Sequence, residues 1–273
     1  MLTTRVIACF DVKGGRVTKA RRFQDNVDVG DAAEVARLMY ADGVDEIVFY
    51  DITASPERRR ADLETVRAVA HNVFVPLTVG GGVRDLEDMH AVLAAGAEKI
   101  SIDSMAVRNP GLITAGSREF GRQCMVLSMQ VQRVGVSAAV PSGYEVFIDG
   151  ARVATGMDAL EWARRGEDLG AGEIVVNSID QDGTHAGYDL EVTHAVADAV
   201  RVPVIASGGA GTPEHVAHAF RAGASAAIVS SMLYSPRLEQ NYTVDDIKRA
   251  LSEDFGLPVR PTAEAASPSR SPR

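Results

Sequence analysis

The sequence predicts a closed (β/α)8 barrel made of two similar halves. Short β-branched runs alternate with longer amphipathic stretches along most of the chain, the pattern of βαβ units and a parallel sheet. Eight such units occur, and segments recur 127 residues apart. Glycine clusters close equivalent strands in both halves.

The predicted strands are Arg5–Asp11, Glu46–Asp51, Val75–Val79, Lys99–Asp103, Cys124–Gln130, Glu173–Ser178, Val202–Ala206 and Ala226–Ser230. GVDEIV at Gly43 answers GAGEIV at Gly170, VPLTVGGG at Val75 answers VPVIASGG at Val202, and AAGAEKISIDS at Ala94 answers RAGASAAIVSS at Arg221. A half with four strands has exposed edges, and joining two halves in a ring pairs them. That favours a barrel over an open sheet.

Two segments fall outside the repeat. Val12 to Gly30 is long, polar and glycine-containing, as expected of an active-site loop. Arg133 to Gly156 contains PSGYEVFIDGARV, a predicted hairpin turning near Asp149 and Gly150. Residues 1–257 are expected to form one barrel domain, and 258–273, rich in Pro, Ser, Ala and Arg, a disordered tail.

With 273 residues, 46% of them hydrophobic, the chain can bury a large core. A net charge of -9 argues against nucleic acid or an anionic membrane as partner. MLTTRVIACF is too short and too soon charged for a signal peptide, and no apolar run reaches the ~20 residues of a spanning helix, so a cytoplasmic protein is expected. Cys9 and Cys124 lie in apolar runs as core thiols. His215 and His218 have helical spacing but no further ligands, and neither metal nor cofactor is expected.

In such barrels chemistry gathers at the C-terminal strand ends, with a phosphate site near the last two strands. Ser207-Gly208-Gly209 and Ser230-Ser231 supply N–H groups and hydroxyls there, glycine leaving the main chain open to phosphate oxygens. The repeat sets Gly80-Gly81-Gly82 and Asp103-Ser104 in the equivalent place, so a ligand with a phosphate at each end is expected. Asp103 matches Ser230 in the repeat, and at ~4 Å a carboxylate would repel a phosphate by ~4 kcal/mol per charge. Asp11, ending the first strand in ACFDVKGGRVTK, is placed for acid–base work, with Lys19 on the following loop. Asp51, Asp180 and Asp182 also end strands or begin loops. His185, in DGTHAGYD, is expected to be solvated.

RVIACFDVKGGRV, DEIVFYDITAS, PLTVGGGVRD, EIVVNSIDQDGTHAGYD and VPVIASGGAG closely resemble the cyclase subunit family of imidazole glycerol phosphate synthase, over Arg5 to about Leu257. The resemblance implies a lyase fed with ammonia by a glutaminase subunit docked on the opposite barrel face. The ammonia would react with a bisphosphorylated aminoimidazole carboxamide ribonucleotide. Asp11 takes the place of the first catalytic aspartate and Lys19 of the loop lysine; Gly82, Asp103, Ser104, Gly183, Gly209, Ser230 and Ser231 line the substrate. Arg5, Glu46, Lys99 and Glu173 take the place of a charged ammonia gate, where four buried charges are tolerable only if paired.

Three positions depart from the family. Gln130 stands where the second catalytic aspartate is expected, Asp103 where asparagine is usual, and Gly14 where aspartate is usual. Glutamine cannot accept or return a proton, and losing one acid–base group costs about 10² to 10⁴-fold. Asp182 or a water is expected to substitute. The alternatives are a diverged paralogue with another substrate, a largely non-catalytic ammonia conduit, and the sister isomerase of the same pathway.

Overall fold

In a computed structural model the described residues are 3–21, 24–54, 57, 59–234 and 241–262. Eight parallel strands close a ring: β1 (Arg5–Lys13), β4 (Glu46–Asp51), β5 (Leu77–Gly80), β6 (Lys99–Ile102), β7 (Met125–Arg133), β10 (Glu173–Ser178), β11 (Val204–Ser207) and β12 (Ala226–Val229). Closure comes from β12 pairing with β1, Arg5 opposite Ala226, and from β7 pairing with β10, Val126 opposite Glu173.

Two antiparallel hairpins extend the ring at the first strand of each half. The segment expected to be a loop is instead β2 (Arg16–Arg21) and β3 (Gln24–Asp31), with β2 pairing to β1 at Asp11 opposite Thr18. The predicted second hairpin is β8 (Tyr144–Ile148) and β9 (Val153–Asp158), with Asp149, Gly150 and Ala151 at its turn in positive φ. Cys124 precedes its strand in a short 3-10 turn, its thiol donating to Phe120 O at 3.3 Å.

The 127-residue repeat extends to individual contacts. Ile47 N donates to Pro76 O as Ile174 N does to Pro203 O, both at 3.0 Å. A Cβ on Gly81 would lie 2.3 Å from Asp51 O, and one on Gly208, 2.8 Å from Ser178 O. These two glycines, with φ of +87° and +91°, are therefore demanded by the close passage of the preceding strand's end, whatever else they do.

Helices wrap the ring. α1 (Ala32–Ala41), α2 (Leu63–Asn72) and α3 (Leu86–Ala94) answer α6 (Ala159–Leu169), α7 (Leu190–Ala199) and α8 (Pro213–Arg221). Their N-caps repeat in the same register: Asp31 and Asp158, Asp62 and Asp189, Asp85 and Thr212 each accept from backbone N–H groups of the first turn. Each such cap is worth about 1 kcal/mol against alanine. Each half ends on a short helix and a longer one: α4 (Ser104–Arg108) and α5 (Gly111–Phe120), then α9 (Ser231–Tyr234) and α10 (Val244–Glu253).

Period-two alternation divides the strands between two apolar layers. Phe10, Phe49, Leu127 and Met129 face the helices, whereas Ile7, Cys9, Val48, Val126, Val175, Ile205 and Ile228 fill the lumen.

The chain beyond Leu257 does not leave the barrel where composition placed its end. Thr4 N donates to Pro258 O at 2.9 Å, Thr4 bridges Val259, Arg260 pairs with Asp45 at 2.8 Å, and Thr262 is buried. Residues 263–273, the rest of the expected tail, lie outside the described part.

Candidate active site

The alternation that sends Ile7 and Cys9 into the lumen carries Arg5 to its lower end and Asp11 to its upper rim. On β6 it places Lys99 low and Ser101 above it, with Asp103 next on the same side. On β7 Val126 and Ser128 lead to Gln130. One end of the barrel thus collects Arg5, Glu46, Lys99 and Glu173, and the other Asp11, Asp103 and Gln130.

The lower four close a ring of ion pairs. Arg5 reaches Glu46 at 2.6 Å and Glu173 at 2.9 Å, and Lys99 reaches both glutamates at 2.9 Å. Thr78 Oγ1 donates to Glu46 at 2.8 Å. Above them the lumen is lined mainly by the apolar layer of Ile7, Val48, Val126, Val175, Ile205 and Ile228, with the Ser101 hydroxyl 3.3 Å from Tyr50 Oη.

At the rim, Gln130 Nε2 donates to Asp103 Oδ2 at 2.9 Å, so two of the three positions singled out in the sequence as departures touch each other. Gln130 Oε1 is buried without a hydrogen-bond partner among the described residues. Burial, reinforced by Asp149, pushes the Asp103 carboxyl up to about 7 against the lowering effects of Gln130 and Arg108. Between the unfolded value of 3.8 and about 7 the folded chain holds a proton that the unfolded chain has released, so stability falls as pH rises through that window. The shift sets a ceiling of about 4 kcal/mol, reduced by whatever solvent reaches the half-buried group. Asp103→Asn is expected to flatten this dependence, read as melting temperatures at pH 5 and pH 8 converging; an unchanged difference between them contradicts it.

The two expected phosphate cradles differ. By β12, Ser231 Oγ lies 2.7 Å from His185 Nε2, Ser230 Oγ donates to Cys9 O at 3.1 Å, and Gly209 packs so tightly on the loop after β10 that a Cβ would sit 2.1 Å from Gly187 O. His185 is therefore held against Ser231, not merely solvated, and its motif alone carries no signal of that contact. By β6, Ser104 Oγ accepts from Asp149 N at 2.9 Å, and Arg108 meets Asp149 at 2.5 Å, which docks the β8–β9 turn beside Asp103. Gly82 has φ of +73° and lies against the 60–61 backbone.

Other predicted residues scatter. Asp51 is buried and organises its own loop, accepting from Arg59 at 2.6 and 2.7 Å and from Ala54 N at 3.0 Å. Asp180 accepts from Arg133 N at 2.9 Å on the outer edge. Asp182 and Gly183 sit in the turn after β10, where Asp182 N donates to Ser178 O at 3.0 Å. Gly14 has φ of +55° in the β1–β2 turn. Lys19 pairs with Val27 in the first hairpin, and its side chain lies outside the described part.

A closed (β/α)8 barrel with carboxylates on one rim and a paired charge ring at its other end has the architecture of a barrel enzyme, its chemistry at the C-terminal strand ends. The family model described as "Histidine biosynthesis protein" matches residues 5–239. Imidazole glycerol phosphate synthase subunit HisF of Desulforapulum autotrophicum is 52% identical over 263 residues, covering 96% of this chain and all of the relative. The HisF of Syntrophobacter fumaroxidans is likewise 52% identical with the same coverage, and that of Solidesulfovibrio magneticus is 53% identical over 261 residues, 95% of this chain and 99% of the relative. The chain belongs to the HisF family, the cyclase subunits of imidazole glycerol phosphate synthase in histidine biosynthesis. No helix among the described residues is long and apolar enough to cross a membrane.

Proposed function

We propose that this cyclase, working in the cytoplasm, receives ammonia from a glutaminase subunit seated on the N-terminal barrel face. It uses that ammonia at the opposite rim on a bisphosphorylated aminoimidazole carboxamide ribonucleotide. The products are imidazole glycerol phosphate and an aminoimidazole carboxamide ribotide. Asp11 moves protons, Lys19 meets the substrate from the first hairpin, and the phosphates rest on Gly82 and Ser104 at one side and on Gly183, Gly209, Ser230 and Ser231 at the other.

The observation that carries this reading is the ring of Arg5, Glu46, Lys99 and Glu173 beneath an apolar lumen. Neutral ammonia can cross such a lumen, whereas ammonium would forfeit its hydration. Turnover of the bisphosphorylated substrate with ammonium salt tests the activity, and its absence in folded protein removes the reading. Lys99→Met is expected to leave ammonium-driven turnover close to wild type, because Lys99 lies at the far end of the lumen. With a glutaminase and glutamine, it is expected to alter the yield of product per glutamine hydrolysed. Equal effects in both assays would argue against passage through the ring.

Gln130 motivates a second reading, a rim remodelled for another ammonia acceptor. Catalysis on the family substrate by the wild-type chain would exclude it.

A further inference from the structure

We propose that Asp103, at the end of β6, is the second acid–base group of this rim, and that Gln130 positions it. The proposal rests on the cyclase reading and names the residue that completes it.

Asp103 is the first residue before α4, where other helices of this barrel use an aspartate to cap their N–H groups. It makes no such cap, whereas Asp31, Asp62, Asp85, Asp158 and Asp189 all do. Nor is it consumed by the nearby cation, since Arg108 pairs with Asp149. Its carboxylate instead turns across the rim to the Gln130 amide at 2.9 Å. Adjacent strands allow that meeting: β6 and β7 pair at Ile102 opposite Leu127, which sets Asp103 opposite Ser128, and the long side chain of Gln130, the next inward position on β7, reaches back to it.

The charged and titratable groups facing Asp103 are Asp149 of the β8–β9 turn, Arg108 of α4 and Tyr50 of β4. With burial foremost, they leave its carboxyl titrating near 7, where a group can both give and take a proton at neutral pH. The amide expected at 103 and the carboxylate expected at 130 have exchanged places across one hydrogen bond. A rim that looks short of one acid–base group in sequence has moved it by one strand.

Forming a ring with ammonia strips protons from nitrogen and delivers one to a departing group. As the ammonia nitrogen bonds to a substrate carbon, that carbon's bond to the departing atom breaks; neutral Asp103 donates its proton to the departing atom, which leaves with the bonding electrons. The resulting carboxylate then accepts a proton from the nitrogen, restoring the carboxyl with no net proton consumed. Asp103 does this opposite Asp11, and the unpartnered Gln130 Oε1 accepts a donor from the substrate.

Steady-state kinetics with ammonium salt across pH 5 to 9 test this. Asp103→Asn, which keeps shape and hydrogen bonding, is expected to lower kcat by about 10² to 10⁴-fold and to remove an inflection near neutral pH. The double variant Asp103→Asn with Gln130→Asp returns the carboxylate across the same contact and is expected to recover much of the loss. Gln130→Leu removes a hydrogen bond that favours the charged form, so its inflection is expected to move to higher pH. Near wild-type kcat in Asp103→Asn overturns the proposal while leaving the cyclase reading intact. A loss with no recovery in the folded double variant and no change in pH profile overturns it in favour of a structural role. An inactive wild type overturns the cyclase reading itself.

Discussion

Asp11→Asn is expected to lower ammonium-driven turnover by about 10² to 10⁴-fold, roughly 3 to 5 kcal/mol in the barrier, with little change in melting temperature. The backbone around Asp11 is held independently of its side chain: it pairs with Thr18 across the first hairpin, and Thr18 Oγ1 donates to Asp11 O at 3.2 Å. Asparagine fits the same strand end. What it removes is the ability to take a proton on the side of the rim facing Asp103 and Gln130. The decisive comparison is kcat alongside a thermal melt. A folded variant with ordinary turnover would assign the acid–base work elsewhere.

The second large effect is on stability. Glu46 is 1% exposed and accepts from Arg5 at 2.6 Å, Lys99 at 2.9 Å and Thr78 at 2.8 Å. Glu46→Ala leaves two cations sharing Glu173 alone, and breaking a buried pair on one side costs about 3 to 5 kcal/mol. For a chain of this size that is expected to lower the melting temperature by about 10 °C. Replacing all four ring residues together by apolar side chains of similar volume is expected to restore most of the loss, because no charge is then left unpaired. The same variant is expected to uncouple glutamine hydrolysis from product. Unchanged melting of Glu46→Ala would show that the ring is solvated and cheap.

The barrel was legible because its signal is dense. Buried parallel strands read as apolar runs, and the repeat doubles the information in each. The predicted strands at Glu46 and Glu173 start and end on the observed residues. The first hairpin was not legible: RVTKAR and QDNVDVGD lack the alternation of a half-buried strand, and their pairing follows from extending β1 beyond the rim. The end of the domain was misjudged because Pro258 and Arg260 read as linker composition, although the backbone of one and the guanidinium of the other bind the barrel base.

At the site, single-residue chemistry could be anticipated and pairings could not. Asp103 and Gln130 are far apart in sequence and each looked like a separate departure; the pairing of β6 with β7 and the reach of the Gln130 side chain make them neighbours. Asp182, offered as a substitute for the missing carboxylate, lies in the turn after β10. His185 looked solvated because nothing in a linear motif reveals a hydroxyl on a distant helix.

The unequal rim has a directional consequence. On a perfectly symmetric dyad a two-headed ligand could lie either way round, and half of all encounters would present the wrong atoms to Asp11. Here one pole carries Asp103 and Asp149 while the other offers His185 and a serine hydroxyl. Every 1.4 kcal/mol by which the poles differ biases the orientation about tenfold. For the bisphosphorylated substrate proposed above, divergence between the halves is expected to act as a polariser, turning a degenerate seat into one with a head and a foot.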